Sequence, residues 1–427
     1  MNISVINYEK IGETLYEYQH ESGLKAFVIP KRGYKKIFAT FATHYGSLNN
    51  KFIDPDTNEE VRVPDGIAHF LEHKLFEQQE GNVMEKFSSL GANPNAYTGF
   101  AQTVYLFSCT DNFDDSFKTL LQFVQSPYLT DENVENEKAI IAQEINMLKD
   151  SGARTVFFNL LEALYKNNPV KVEIGGTIDS ISHINKELLY KCYNKFYHPS
   201  NMMILVVGDV DHNEVFKMVQ ENIKKQDHQL PIKRLYPDEP DEVNKKLIED
   251  TKQISNPMFL MGYKDNEVFL DGKDRLKKEI CINVLLDIIM GRSSKLYNKM
   301  YNLGLVNNSF EQDYTTEENY AFSSFGGESK DPMKVKDMIL QEIEYFKENG
   351  IDKEDFERIK KAKIGDFIKA FNSVERISNT FIETYFKGAK SLDCYDILNE
   401  ITLDDILYHL KNHFREECLA ISVVYPK

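Results

Sequence analysis

The sequence predicts an α+β fold of two related halves, each a sheet with helices packed on one face. Strand-like and helical patterns alternate from the start. "GLKAFVIP" (23–30) and "KIFATFATHYGS" (36–47) read as strands, residues 66–90 as helical, "TVYLFSC" (103–109) as a strand, and Asp131 to Lys166 as a long helical pattern. The order then recurs. "RTVFFNLLEALY" (154–165), "ISHINKELLYKCYNKF" (181–196) and "NMMILVVGD" (201–209) are answered by "RISNTFIETYF" (376–386), "NEITLDDILYHLKNHF" (399–414) and "CLAISVVYP" (418–426). Between the two sets, residues 222–245 are charged and carry three prolines, the composition of an exposed linker. The expected division is a first domain over 1–225, a linker over 226–245 and a second domain over 246–427.

Size and composition agree. A chain of 427 residues exceeds the length at which single cores stop growing, and 42% hydrophobic with 28% charged residues is ordinary globular composition. The net charge of −16 argues against binding a phosphate backbone, although a local basic groove stays open. The N-terminal stretch has acidic residues and tyrosines where a secretory signal needs a positive region and an apolar core. The longest apolar run, "MMILVV" (202–207), is far short of a membrane span. Five scattered cysteines without a CxxC pair read as reduced thiols, so the expected location is cytoplasmic.

The chemistry concentrates in "GIAHFLEHKLFE" (66–77). On a helix turning about 100° per residue, His69 and His73 share a face and Glu72 sits beside them, so two imidazoles can aim at one point next to a carboxylate. That geometry suits Zn2+, whose catalytic sites use three protein ligands and an open position. Glu72 suits the role of general base toward a water acidified by zinc. Two histidines four apart also occur by chance on many helices, as core or surface residues. The order H-x-x-E-H is itself a recognised peptidase pattern. The corresponding stretch of the second half, residues 279–304, has no histidine, so only the first half can hold a metal there.

The chain resembles the inverted zinc metallopeptidases, a family that includes pitrilysin, insulysin and the mitochondrial processing peptidase. The resemblance rests on "PDGIAHFLEHKLFE" (64–77), "GANPNAYTGFAQTVYLF" (91–107) and "ENEKAIIAQEINML" (135–148), in the family's order and spacing, and on "GRSSKLYNKMYNLGL" (291–305). It implies that His69 and His73 bind zinc, that Glu72 is the general base, and that Glu144 is the third ligand. Glu137, seven residues before Glu144, would be a catalytic-site carboxylate that orients ligands. Read alone, both glutamates would be exposed helix residues. The resemblance further implies that Asn95 and Ala96 lie on a sheet edge where an extended peptide adds as a strand; the segment alone reads as a turn.

The second half departs from the family. Members that work alone carry an arginine and a tyrosine in a stretch like "L-R-E-x-x-G-L-x-Y", where this chain has Tyr301 and Asn307. The implied protein is a zinc-dependent endopeptidase acting on peptides or small unfolded proteins, the zinc subunit of a heterodimer. A homologous partner would supply the arginine and tyrosine and help to close a clamshell chamber. An acidic lining, permitted by the −16 charge, would favour basic peptides. Two other readings stand beside it: a structural subunit that keeps the motif without catalysis, and a peptide-binding module with structural zinc. The complete set of His69, Glu72, His73 and Glu144 speaks against the first. A carboxylate beside the ligands speaks against the second, because structural sites use four protein ligands.

Overall fold

Strands form where the apolar runs lie, and their spatial order repeats as the sequence does. The computed structural model describes residues 2–226 and 230–427. Its first large sheet runs in the order Ile3–Tyr8, Glu13–Gln19, Lys25–Pro30, Met202–Gly208, Ile37–Thr43, Thr103–Cys109, Asn93–Thr98. The second runs Leu247–Lys252, Leu419–Pro426, Met258–Asp265, Ala321–Glu328, Glu311–Thr316. From Lys25–Pro30 onward the two orders are equivalent strand for strand. Each sheet has one parallel pairing, Lys25–Pro30 with Met202–Gly208 and Leu247–Lys252 with Leu419–Pro426. Two homologous α+β halves follow directly.

Helix periodicity is broken where local chemistry demands it. The pattern over 66–90 becomes two helices, Ile67–Leu75 and Val83–Ser89, separated by a small hairpin of Glu77–Gln78 and Gly81–Asn82. The long pattern from Asp131 splits into Asp131–Leu148 and Gly152–Leu164, because Ser151 caps the second helix by accepting from the Arg154 amide.

Every residue of the central strand Met202–Gly208 is buried, so both faces of the first sheet are covered. On one face, Ile204 and Val206 join a core with Phe41, Phe107 and Leu121. On the other lies the helix Val374–Phe386, whose Phe381 and Tyr385 rings sit 5.1 and 5.3 Å from Phe27. The second sheet takes Gly152–Leu164 in the same way, against Leu419–Pro426 and Met258–Asp265. Gly262 is required by the strand pairing: a Cβ there would fall 2.2 Å from the Ser323 carbonyl of the neighbouring strand, while Leu160 of the helix would be at ordinary contact distance, 3.4 Å.

The compact units are therefore not contiguous in sequence. One holds the chain up to Ile145 with Glu173–Leu235 and Ala370–Phe386; the other holds Asn146–Val172, Tyr236–Lys369 and Lys387–Lys427. A division at 225 and 246 misses this exchange, because the second face of each sheet is filled by a helix encoded in the other half. Residues 227–229 of the expected linker lie outside the described residues. The later part of that linker is anchored, with Glu239 accepting from the Lys166, Asn167 and Asn168 amides and from the buried Lys264 ammonium at 2.7–2.8 Å. All five cysteines are buried and free. No helix among the described residues is long and apolar enough to cross a membrane.

The second unit holds a line of Asp265, His413 and Ser323, the last two buried: His413 Nδ1 lies 3.3 Å from Asp265 Oδ2, and Nε2 lies 2.8 Å from Ser323 Oγ. The order of atoms is that of a nucleophilic triad, but Ser323 is fully buried and out of reach of a substrate. Burial alone would raise the Asp265 pKa, yet the bond to His413 and the charges of His413 and Lys278 outweigh it and hold the carboxyl below its ordinary value. Asp265→Asn is expected to cost about 3–5 kcal/mol at pH 7, measured by urea unfolding. A depressed carboxyl stabilises the fold above its unfolded pKa of about 4, and that contribution is lost as pH falls toward the folded value. The gap between wild type and variant should narrow below about pH 4; a constant gap would show that Asp265 is not held as the anion.

Candidate active site

The two histidines and Glu72 are delivered by the short helix Ile67–Leu75. Its start is fixed by glycine chemistry. Gly66 adopts φ 92°, and a Cβ there would fall 2.5 Å from the Gly175 carbonyl, while one on Gly176 would fall 2.4 Å from the Asp65 carbonyl. The helix is thereby pressed onto the 175–176 turn, which Ser180 reinforces by donating to the Asp65 carbonyl at 2.8 Å. Ile67, Phe70, Leu71 and Leu75 bury one side in the core, leaving His69 and His73 on the other with ring centroids 4.6 Å apart.

The helix Asp131–Leu148 brings up the glutamates. Glu144 lies 3.8 Å from His69 Nε2 and 3.5 Å from His73 Nε2, and one ligand atom from each of His69, His73 and Glu144 lies within 4.8 Å of the others. Ligands about 2.0–2.1 Å from a tetrahedral zinc are separated by roughly 3.3 Å, so a small inward movement would complete the set. Two imidazoles and one carboxylate are the donor types of catalytic zinc sites, and the residues present fit the ion. Glu137 Oε1 lies 3.0 Å from His73 Nδ1, the position from which a carboxylate selects the tautomer that points Nε2 at a metal.

Glu72 is buried, and the Thr98 hydroxyl donates to its Oε2 at 2.6 Å. Thr98 is itself 3.3 Å from Thr103, which donates to the Tyr45 carbonyl at 2.8 Å. Burial holds the Glu72 pKa above its ordinary value against the Thr98 bond and the charge of His73. Burial would lower His73, but its bond to Glu137 and the nearby carboxylates prevail and raise it. Burial would raise Glu137, but the bonds and charges of His73 and Lys74 prevail and lower it.

Asn95 and Ala96 lie on Asn93–Thr98, the last strand of its sheet, paired among the described residues with Leu106 and Tyr105 on one side only. The segment is thus a sheet edge, although its Pro and Asn content reads as a turn, because the neighbouring strand Thr103–Cys109 recruits it. The strand ends at Thr98, the partner of Glu72, about 10 Å along from Asn95. In the second unit, counting back from Gly304 puts the arginine position of the L-R-E-x-x-G-L-x-Y pattern on Met300, which is fully buried, and not on Tyr301, which is half exposed and stacks on Tyr297; Asn307, at the tyrosine position, donates to Glu328 at 2.9 Å. Sequence reasoning missed Thr98 and Lys74. Both stand inside the stretches that carry the motif, but nothing in the spacing marks a hydroxyl or an ammonium for a role.

Residues 57–178 match the family described as insulinase (peptidase family M16), and residues 183–363 match the peptidase M16 inactive domain. The uncharacterized zinc protease YmfH of Bacillus subtilis is 41% identical, with all of both chains aligned. The chain belongs to peptidase family M16. The β subunit of the mitochondrial-processing peptidase of Caenorhabditis elegans is 30% identical over 40% of this chain and 38% of that one. A crystal structure of an M16-like peptidase from Alicyclobacillus acidocaldarius matches with a TM-score of 0.93 and 32% identity, covering 100% of this chain and 99% of that one. Relatives in this M16 group carry the name zinc protease, which agrees with the donor set around His69.

Proposed function

We propose that this M16 chain is the zinc-bearing subunit of an endopeptidase that cleaves peptides or small unfolded proteins. The observation that carries the reading is the convergence of His69, His73 and Glu144, with the buried, hydrogen-bonded Glu72 beside them. His69, His73 and Glu144 would hold the ion, which supplies Lewis acidity toward water and the scissile carbonyl. Glu72 takes a proton from the attacking water and returns it to the departing amine nitrogen. Thr98 holds one Glu72 oxygen, so the carboxylate is oriented before substrate arrives. Glu137 keeps the proton of His73 on Nδ1. An extended substrate pairs with the free edge at Asn95 and Ala96 through main-chain hydrogen bonds, which gives affinity with limited side-chain selectivity, and it runs past Glu72.

A homologous partner supplies the arginine and tyrosine that Met300 and Asn307 do not provide. Loss of one donor to a developing oxyanion typically costs about 10²–10³ in rate. Hydrolysis of a quenched fluorescent peptide library should therefore be weak for the zinc-loaded chain alone and rise by about that factor when a homologue carrying both residues is added. Full activity of the chain alone would refute the division of labour. The absence of hydrolysis under every pairing would favour a non-catalytic subunit that retains the motif.

A further inference from the structure

Lys74 follows His73 on the motif helix, and its side chain is 1% exposed. Placing an ammonium in such a position costs several kcal/mol unless carboxylates receive it. Two do. Its Nζ forms an ion pair with Glu77 at the foot of the 77–82 hairpin and lies 3.5 Å from Glu137 Oε2. The other oxygen of Glu137 is the one that holds His73 Nδ1, at 3.0 Å. The two Glu137 oxygens are thus divided between a cation and an imidazole, and the plane of the carboxylate is fixed from both sides. With Lys74 absent, Oε2 would be a buried anion edge without this partner, and Glu137 could rotate away from the line that aims His73.

We propose that Lys74 is a positioning residue for the metal centre, acting through Glu137 on the orientation and tautomer of His73, with Glu77 tethering the ammonium. This rests on the reading of His69, His73 and Glu144 as the zinc ligands. A lysine that merely filled the core would stabilise the fold and leave the metal untouched. The observations favour positioning because the ammonium reaches the same carboxylate that touches a ligand, from the residue next to that ligand.

The test measures zinc affinity by chelator competition and the visible spectrum of the cobalt-substituted full chain. Lys74→Met is expected to weaken zinc binding about 10–100-fold, the usual effect of losing an outer partner of a ligand, and to shift the cobalt bands. Lys74→Arg, which restores a cation to the same carboxylate, should recover most of the affinity. If Lys74→Met does not fold, the pair Lys74→Met with Glu137→Gln removes both buried charges together. That pair should bind zinc as Glu137→Gln alone does, because Lys74 acts only through Glu137. An affinity and cobalt spectrum unchanged in Lys74→Met, or further weakening in the double variant relative to Glu137→Gln, would overturn the proposal. Wild-type protein that takes up no zinc would overturn the underlying site instead.

Discussion

Glu72→Gln is expected to leave zinc bound at one per chain and to lower peptide hydrolysis by about 10²–10⁴-fold, the range contributed by a positioned general base. The amide has the size of the carboxylate, and its oxygen can still accept from Thr98, so the local fold and the three proposed ligands should persist. What disappears is the ability to take a proton from water and return it to the leaving nitrogen. His73→Ala should behave differently, losing metal and activity together, since it removes a proposed ligand and the partner of Glu137. Hydrolysis is to be measured with whichever partner gives full activity, and zinc by elemental analysis of the same preparation. Equal loss of zinc in Glu72→Gln would make Glu72 a ligand and the site a structural one.

The second large effect concerns folding. A fragment ending at Leu235 contains the complete first sheet but lacks Val374–Phe386, the helix that covers its second face. Phe27, Met203, Leu205 and Val207 are fully buried and lie on that face. Burial of such side chains contributes about 1.5–3 kcal/mol each, so their exposure removes an amount comparable to the 5–15 kcal/mol by which typical domains are stable. The fragment 1–235 is expected to aggregate or to lack a cooperative unfolding transition. The same fragment with residues 370–386 attached through a flexible linker should regain near-UV circular dichroism and cooperative unfolding. Cooperative folding of 1–235 by itself would show that the exchanged helix is dispensable.

The exchange marks where sequence reading stops. Alternation and repetition revealed both sheets and their kinship, and they paired 154–165 with 376–386 as counterparts. They could not reveal that these counterparts cross to the opposite units, because an amphipathic pattern records that a face is buried and not against what. The motif helix was legible because its geometry is local: His69, Glu72 and His73 are within one turn. Glu144 and Glu137 came from resemblance, since a ligand 71 residues after His73 has no periodic signature. Thr98 and Lys74 were invisible for a related reason. Each acts through a contact set by packing between elements, the strand edge against the helix for Thr98 and the helix pair for Lys74.

The most direct measurement is anomalous diffraction at the zinc edge from crystals of the chain grown with zinc. One peak is predicted, bonded to His69 Nε2, His73 Nε2 and a Glu144 oxygen at about 2.0–2.2 Å, with Glu72 unbonded beside it. A peak elsewhere, no peak at saturating zinc, or Glu72 as a fourth protein ligand would contradict a catalytic zinc site on this helix.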